Sequence, residues 1–520
     1  MARALRIFRD FSGGLADGLA DSMADKYLKK AKNTVPAAGL GLAKASGYEL
    51  ALPRLTSGAE ILALVELTPA DGVVQTLCFT ADSLYQLVTA AGGQQAAWQL
   101  VTNGLAPICD YFIYGGKLWW LDGSEFRTYN GQTVAAVTFT PQTAGSPTAA
   151  ELEFWGRIRS SRFVEQRGSR WFYARSTHSE VIFSKVGNPQ DFELTSIISV
   201  NTKDADTITG LCSFAEGLLI FNQKSVYFLS GWDFIAAGDI NLTRLSVSSG
   251  TAFAKSICRV DNGVLYLGAD GLYRLHQPNY SLLPAAKNLS EKRVKALADT
   301  GELSSAHSCY FAGAYRITLV DGAGCREYRY YPATDSFFGE FTQSCSCYST
   351  ALRLPALFLG CRGGYILKNK EESRNYIDTA TGQEIPIEME AETKAFDVAG
   401  QMVRQSRVKS VFIVASQYKE ESSLPELELT ADYRRRAYTA DLDESLIYGE
   451  GQWGAARYGF VDAVCKELPL NLKCRRLSIK IYNNKLNEPV LLLGRGFSYK
   501  SKRPAADKCG ITERSVEYND

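Results

Sequence analysis

Three histidines, His178, His276 and His307, are the only imidazoles in 520 residues. A nucleophilic triad needs a Ser or Cys, a His and a carboxylate within reach of one another. His178 lies in the loop-like run Arg175-Ser176-Thr177-His178-Ser179, and His276 ends an apolar run. No GxSxG, HExxH, phosphate-loop or strand-to-helix GxGxxG pattern accompanies them, so structural places are expected for all three. Cys345-Ser346-Cys347 is a CxC pair. A tetrahedral zinc site would need two further ligands at suitable spacing, and none stands out, so no metal and no cofactor is expected. Paired Asp and Glu residues could serve glycoside hydrolysis. The acids that recur, Asp122, Asp270 and Asp321, each precede a Gly, which is turn chemistry. The remaining candidates are basic. Arg434-Arg435-Arg436 is the densest run, and Arg157, Arg159, Arg162, Arg167 and Arg170 interleave with Trp155, Phe163 and Trp171. Such groups suit a surface passed by DNA, an aromatic-rich subunit interface, or a solvated strand end.

The elements that must carry these residues are best read from Gly210–Gln277. Leu218–Phe221 turns through Asn222-Gln223-Lys224 into Val226–Leu229, and Val264–Leu267 turns through Gly268-Ala269-Asp270-Gly271 into Leu272–Leu275. Each is a hairpin by composition. The runs are apolar on both faces, so both faces must be buried, which one hairpin cannot do alone. Five more copies follow the same phrase: Val73–Phe79 with Ser83–Val88, Lys117–Leu121 with Glu125–Tyr129, Arg170–Ala174 with Val181–Ser184, Tyr315–Val320 with Arg326–Tyr331, and Pro355–Leu359 with Tyr365–Lys368. They lie roughly 40–55 residues apart, the spacing of four-stranded propeller blades. The expected fold is all-β: a propeller of about seven blades over residues 57–372, then a β-sandwich over 373–500. Alternating strands such as Leu477–Tyr482 suggest the sandwich. An N-terminal arm, 1–56, could be extended or an amphipathic helix on Leu15, Leu19, Met23 and Leu28. Residues 283–306 read as a helical insertion capped at Ser290, and 501–520 as a polar tail.

Basic and acidic residues number 57 and 56, which argues against binding nucleic acid by bulk charge. Twelve cysteines follow an N-terminus without an apolar leader, so synthesis in the cytoplasm with reduced thiols is expected. No run of 18 apolar residues suggests membrane insertion.

Several phrases can be matched together. Asp10-Phe11-Ser12-Gly13-Gly14-Leu15, then Phe183–Phe192, Leu218–Gly231 and Gly250–Leu275, then Phe396-Asp397-Val398 with Arg407-Val408-Lys409 and Arg476–Tyr482 with Gly494–Arg503, stand in order. This order resembles a group of tailed-bacteriophage virion proteins: the tail nozzle, also called tail tubular protein B, and related tail hub or stabilisation proteins. The resemblance implies a homo-oligomeric ring, expected to be a hexamer, below the portal and adaptor proteins. Its channel would retain the DNA genome and conduct it during ejection, in a virion tail assembled in the host cytoplasm. That is a structural protein and not an enzyme. The alternatives are another tail-tip structural protein and a propeller glycosidase acting on host polysaccharide.

Overall fold

The computed structural model describes residues 4–18, 23–88, 96–142, 146–200, 206–231, 240–278, 281, 283–291, 293–350, 352, 356–399, 405–415, 425–432, 434–439 and 464–501. Seven four-stranded antiparallel units follow one another among them. Blade one comprises Ala63–Leu67, Gln75–Phe79, Ser83–Val88 and Ala97–Asn103. Blades two to six begin with Asp110–Tyr114, Phe163–Arg167, Ile208–Phe214, Cys258–Val260 and Ser305–Phe311. Blade seven takes Cys347–Ser349, Phe358–Gly360 and Ile366–Lys370 from the far end of the propeller and its fourth strand, Gly47–Leu52, from before blade one. The chain thereby closes the ring with its own N-terminal segment, and each predicted hairpin supplies the second and third strands of a blade.

Blade four explains why hairpins with two apolar faces are needed. Leu218 and Ile220 of its second strand pack into one core with Phe172 and Val181 of blade three. Leu219 and Phe221, pointing the other way, pack into another with Val264 and Tyr266 of blade five. Blade two repeats the division, with Leu118 and Trp120 toward blade one and Trp119 and Leu121 toward blade three. Every blade is thus the filling between two others, and strand alternation sends half of each hairpin to each neighbour.

The helix Ala149–Arg159 sits between blades two and three, burying Phe154, Trp155 and Ile158. It starts in a reciprocal capping box: Glu151 N donates to Thr148 Oγ1 at 3.2 Å, and Thr148 N donates to Glu151 Oε2 at 2.7 Å. The expected helical insertion is different. Among its described residues only Lys295–Ala298 is helical, Ala285–Asn288 is the fourth strand of blade five, and Ser290 Oγ accepts the Leu272 N–H at 2.8 Å instead of capping a helix. The strand's pairing partner outweighs the local helix pattern.

Where described, the first 44 residues form strands joined by turns and a short 3-10 helix, Ala38–Leu40, with no α-helix. Ala4–Phe8, Thr34–Ala37 and Gly41–Lys44 join a sheet with Leu491–Ser501, Ser406–Ala415 and Val464–Cys474. Gly14–Leu15 and Tyr27–Lys32 bridge blade six to the facing sheet of Met389–Thr393, Arg476–Asn483, Glu426–Ala431 and Arg434–Thr439. One continuous sheet therefore runs out of the propeller into the C-terminal sandwich, and Leu19 falls outside the described residues. No helix among the described residues is long and apolar enough to cross a membrane.

Candidate functional site

The first strands of blades two to five line an open cavity of about 660 Å3. Two acids hold its wall together by the same device. Asp110 of blade two accepts the Val164 N–H of blade three at 2.9 Å through Oδ2, and the Tyr111 N–H at 2.9 Å through Oδ1. Glu165 of blade three accepts the Ser213 N–H of blade four at 3.1 Å and pairs with Arg259 of blade five. Each carboxylate thus satisfies a backbone donor on the next blade's innermost strand, which has no strand beyond it to pair with. Burial pushes the Asp110 carboxyl up to about 7, against the lowering effect of those N–H groups. Burial also raises Glu165, although Arg259 opposes it. Lys255 of the blade five approach lines the same cavity. Cys212 brings a thiol pushed up by burial to about 12, which keeps it protonated and unreactive.

Between blades six and seven lies a buried ionic cluster. Arg329 Nε meets Glu327 Oε1 at 2.6 Å, Arg316 Nη1 stands 3.8 Å from the same oxygen, and the Tyr348 hydroxyl donates to Glu327 Oε2 at 3.1 Å. Burial pushes the Glu327 carboxyl up, but Arg329 and Arg316 outweigh it and hold it below its ordinary value. Beside Tyr348, burial takes His307 down to about 4, so the ring is neutral. His178 is exposed, with Nδ1 2.7 Å from the Thr177 hydroxyl, and His276 lies on blade five. The three imidazoles are not brought together with the channel acids. Asp122 and Asp321 cap their turns by accepting backbone N–H groups two and three residues on, while Asp270 holds the Tyr273 hydroxyl at 2.8 Å. Among the described residues no group of three or more His, Cys, Asp or Glu is placed to hold a metal.

The predicted arginines fall in two separate parts of the fold. Arg157 pairs with Glu153 at 2.7 Å and with Glu180 of blade three at 3.4 Å. Arg159 stands 4.0 Å from Glu125 of blade two and over the Phe139 ring. Together they lash the helix to both blades. Arg162 is exposed at the start of blade three, its stem beside Gly123. Arg434, Arg435 and Arg436 are exposed on the last strand of the sandwich sheet. Arg435 ends a row of charges that alternates strand by strand across that sheet: Lys30, Glu390, Lys480, Glu428, Arg435, with contacts of 2.7 Å (Lys30–Glu390), 2.8 Å (Glu390–Lys480) and 3.5 Å (Glu428–Arg435). Cross-strand pairs of this kind suit a wetted face. The sequence reading missed Asp110 and Glu165. Their one signal was a carboxylate beside apolar or aromatic neighbours, Tyr111 and Phe112 for Asp110 and Phe163 and Val164 for Glu165.

No family model and no curated protein matches this chain. Among solved structures it is similar to the extracellular domain of a putative one-component system from B. thetaiotaomicron, at 10% identity and a TM-score of 0.43, over 78% of this chain and 59% of that one. It is similar to the Neurospora crassa Pan2 WD40 domain at 8% identity and a TM-score of 0.34, over 60% of this chain and 89% of that one. With the exo-beta-1,3-galactanase of Phanerochaete chrysosporium the values are 7% and 0.24, over 64% and 94%. At such identities a likeness bears on fold alone, and the chain spans 59% of the length of the first of these proteins.

Proposed function

We propose that this chain is a structural component of a phage virion tail, a nozzle or hub protein. Copies of it would form a ring, expected to be a hexamer, beneath the portal and adaptor, whose axial channel retains and then conducts the DNA. The observation that carries the reading is the place of the phrase Asp10–Leu15, which resembles that group. Its residue types do a job specific to this architecture. Phe11 is buried beneath the Arg495 guanidinium, 4.3 Å from its ring centre. Gly14 takes φ 63° and pairs with both Phe337 of blade six and Tyr27, where a Cβ would come within 2.1 Å of the Phe337 carbonyl. The phrase is the joint between propeller and sandwich, and a stiff joint is what a load-bearing ring wall requires. The propeller's own channel is crossed by the Glu165–Arg259 pair and is far too small for a duplex, so the genome would pass along the ring axis, between copies.

A second reading, a hydrolase of host polysaccharide, is favoured by one observation: Asp110 and Glu165 line one cavity with both carboxyls raised, a pattern frequent in active sites. Both Asp110 oxygens, however, are engaged by N–H groups. Cryo-EM of the purified protein and of virions, beside a polysaccharide cleavage assay, separates the two. A ring with an open axial channel of about 20 Å or more is the expected result. A monomer absent from the tail, whose cleavage of polysaccharide is abolished by Asp110→Asn, would overturn it.

A further inference from the structure

Blade five carries a feature that a structural wall does not need. Arg274 and Lys287 stand directly opposite one another on its third and fourth strands. Like charges so placed destabilise an antiparallel pair, and among the described residues neither has a carboxylate ion pair. His276 lies two residues beyond Arg274, on the same face of the strand. Arg274 Nη2 donates to the Asn262 carbonyl at 3.3 Å, but its Nε is buried with no hydrogen-bond partner. The two cations and the imidazole line a groove of about 760 Å3 that reaches the turns of blades four and six. The carboxylates in its wall are already occupied. Asp261 accepts the Tyr310 hydroxyl at 2.6 Å. Asp335 accepts the Tyr330 hydroxyl at 3.0 Å and pairs with Arg293 at 3.2 Å.

We propose that this groove binds a phosphate group, as the free ion or on a small ester. An anion seated between Arg274 and Lys287 turns their repulsion into attraction. A phosphate brings a charge of about −1.5 to −2 and three acceptor oxygens, which matches a guanidinium fork, an ammonium and an imidazole better than a single carboxylate does. The volume is that of a small-molecule site. The site stands whether or not the chain forms a ring.

The test is calorimetric titration of the full-length chain with inorganic phosphate and with ribose 5-phosphate, with ribose as control and a short DNA duplex as a further arm. Binding of the two phosphates and not of ribose is expected, weakened at least about tenfold in Lys287→Gln and in Arg274→Gln. Lys287 is exposed, so its variant should fold. In phosphate-free buffer Lys287→Gln should unfold at the same or a higher temperature than the wild type. Added phosphate should raise the wild-type unfolding temperature clearly more than that of the variant. Absence of phosphate binding, binding that both variants retain in full, or binding of the duplex without binding of the small phosphates would each overturn the proposal.

Discussion

Asp110 holds two backbone N–H groups, yet burial keeps its carboxyl near 7, well above the usual 3.8. A folded-state value above the unfolded one means that the fold favours the protonated acid. Its contribution to stability is therefore full below about 3.8 and is lost as pH rises through about 7. Asp110→Asn cannot ionise and removes that dependence. Whatever constant offset the substitution brings, its stability relative to the wild type should improve steadily across this window, measured by denaturant unfolding at stepped pH. A difference that stays flat would mean that Asp110 ionises at an ordinary pH. The residue scale is also where the sequence was least informative. Nothing local distinguishes Asp110 or Glu165 from any other acid beside apolar residues in a strand. Their role exists only because the next blade presents an unpaired N–H at that height. Asp122 and Asp321 were readable for the opposite reason, since their partners lie two and three residues away.

At the scale of elements, the seven hairpins were legible because turn chemistry and two-faced apolar runs are local properties. The closing strand Gly47–Leu52 was not, because its partner lies more than 300 residues along the chain. The helix Ala149–Arg159 had a readable signal in Thr148 and Glu151, a capping box with the third residue inside the helix. The closing strand gives a sharp prediction. A Cβ on Gly47 would stand 2.0 Å from the Asn375 carbonyl, and Gly47 N donates to the Ser373 carbonyl at 2.7 Å. Gly47→Ala must displace backbone where the ring is fastened, and should cost about 1–3 kcal/mol. Gly156→Ala is the matched control. It sits in the helix with nothing near its Cβ, and should gain about 0.5–1 kcal/mol. Urea midpoints at unchanged slope would measure both. Equal effects of the two substitutions would show that the clasp at Gly47 yields without strain.

At the scale of the whole molecule, propeller and sandwich share more than a linker. A single core runs from Leu265 of blade five and Tyr315 and Phe338 of blade six into Val408, Ile479 and Phe497 of the sandwich. Phe11, Leu15, Leu28 and Leu42 of the N-terminal segment lie in that same core. The segment also gives three strands to one sandwich sheet and, through Gly14–Leu15 and Tyr27–Lys32, joins the other to blade six. Elements that share a core and a sheet unfold as one cooperative unit. Differential scanning calorimetry of the full chain should therefore show blade six and the sandwich melting together. Removal of residues 1–46 leaves the closing strand Gly47–Leu52 in place but takes away every one of those bridges. The truncated chain should melt in two steps. The earlier step belongs to the sandwich, which has lost three strands and exposed the Leu491–Ser501 edge to water. A single transition in the truncated chain, merely shifted to lower temperature, would mean that contacts made directly between blade six and the sandwich suffice. The N-terminal segment would then be a passenger on the joint and not its fastening.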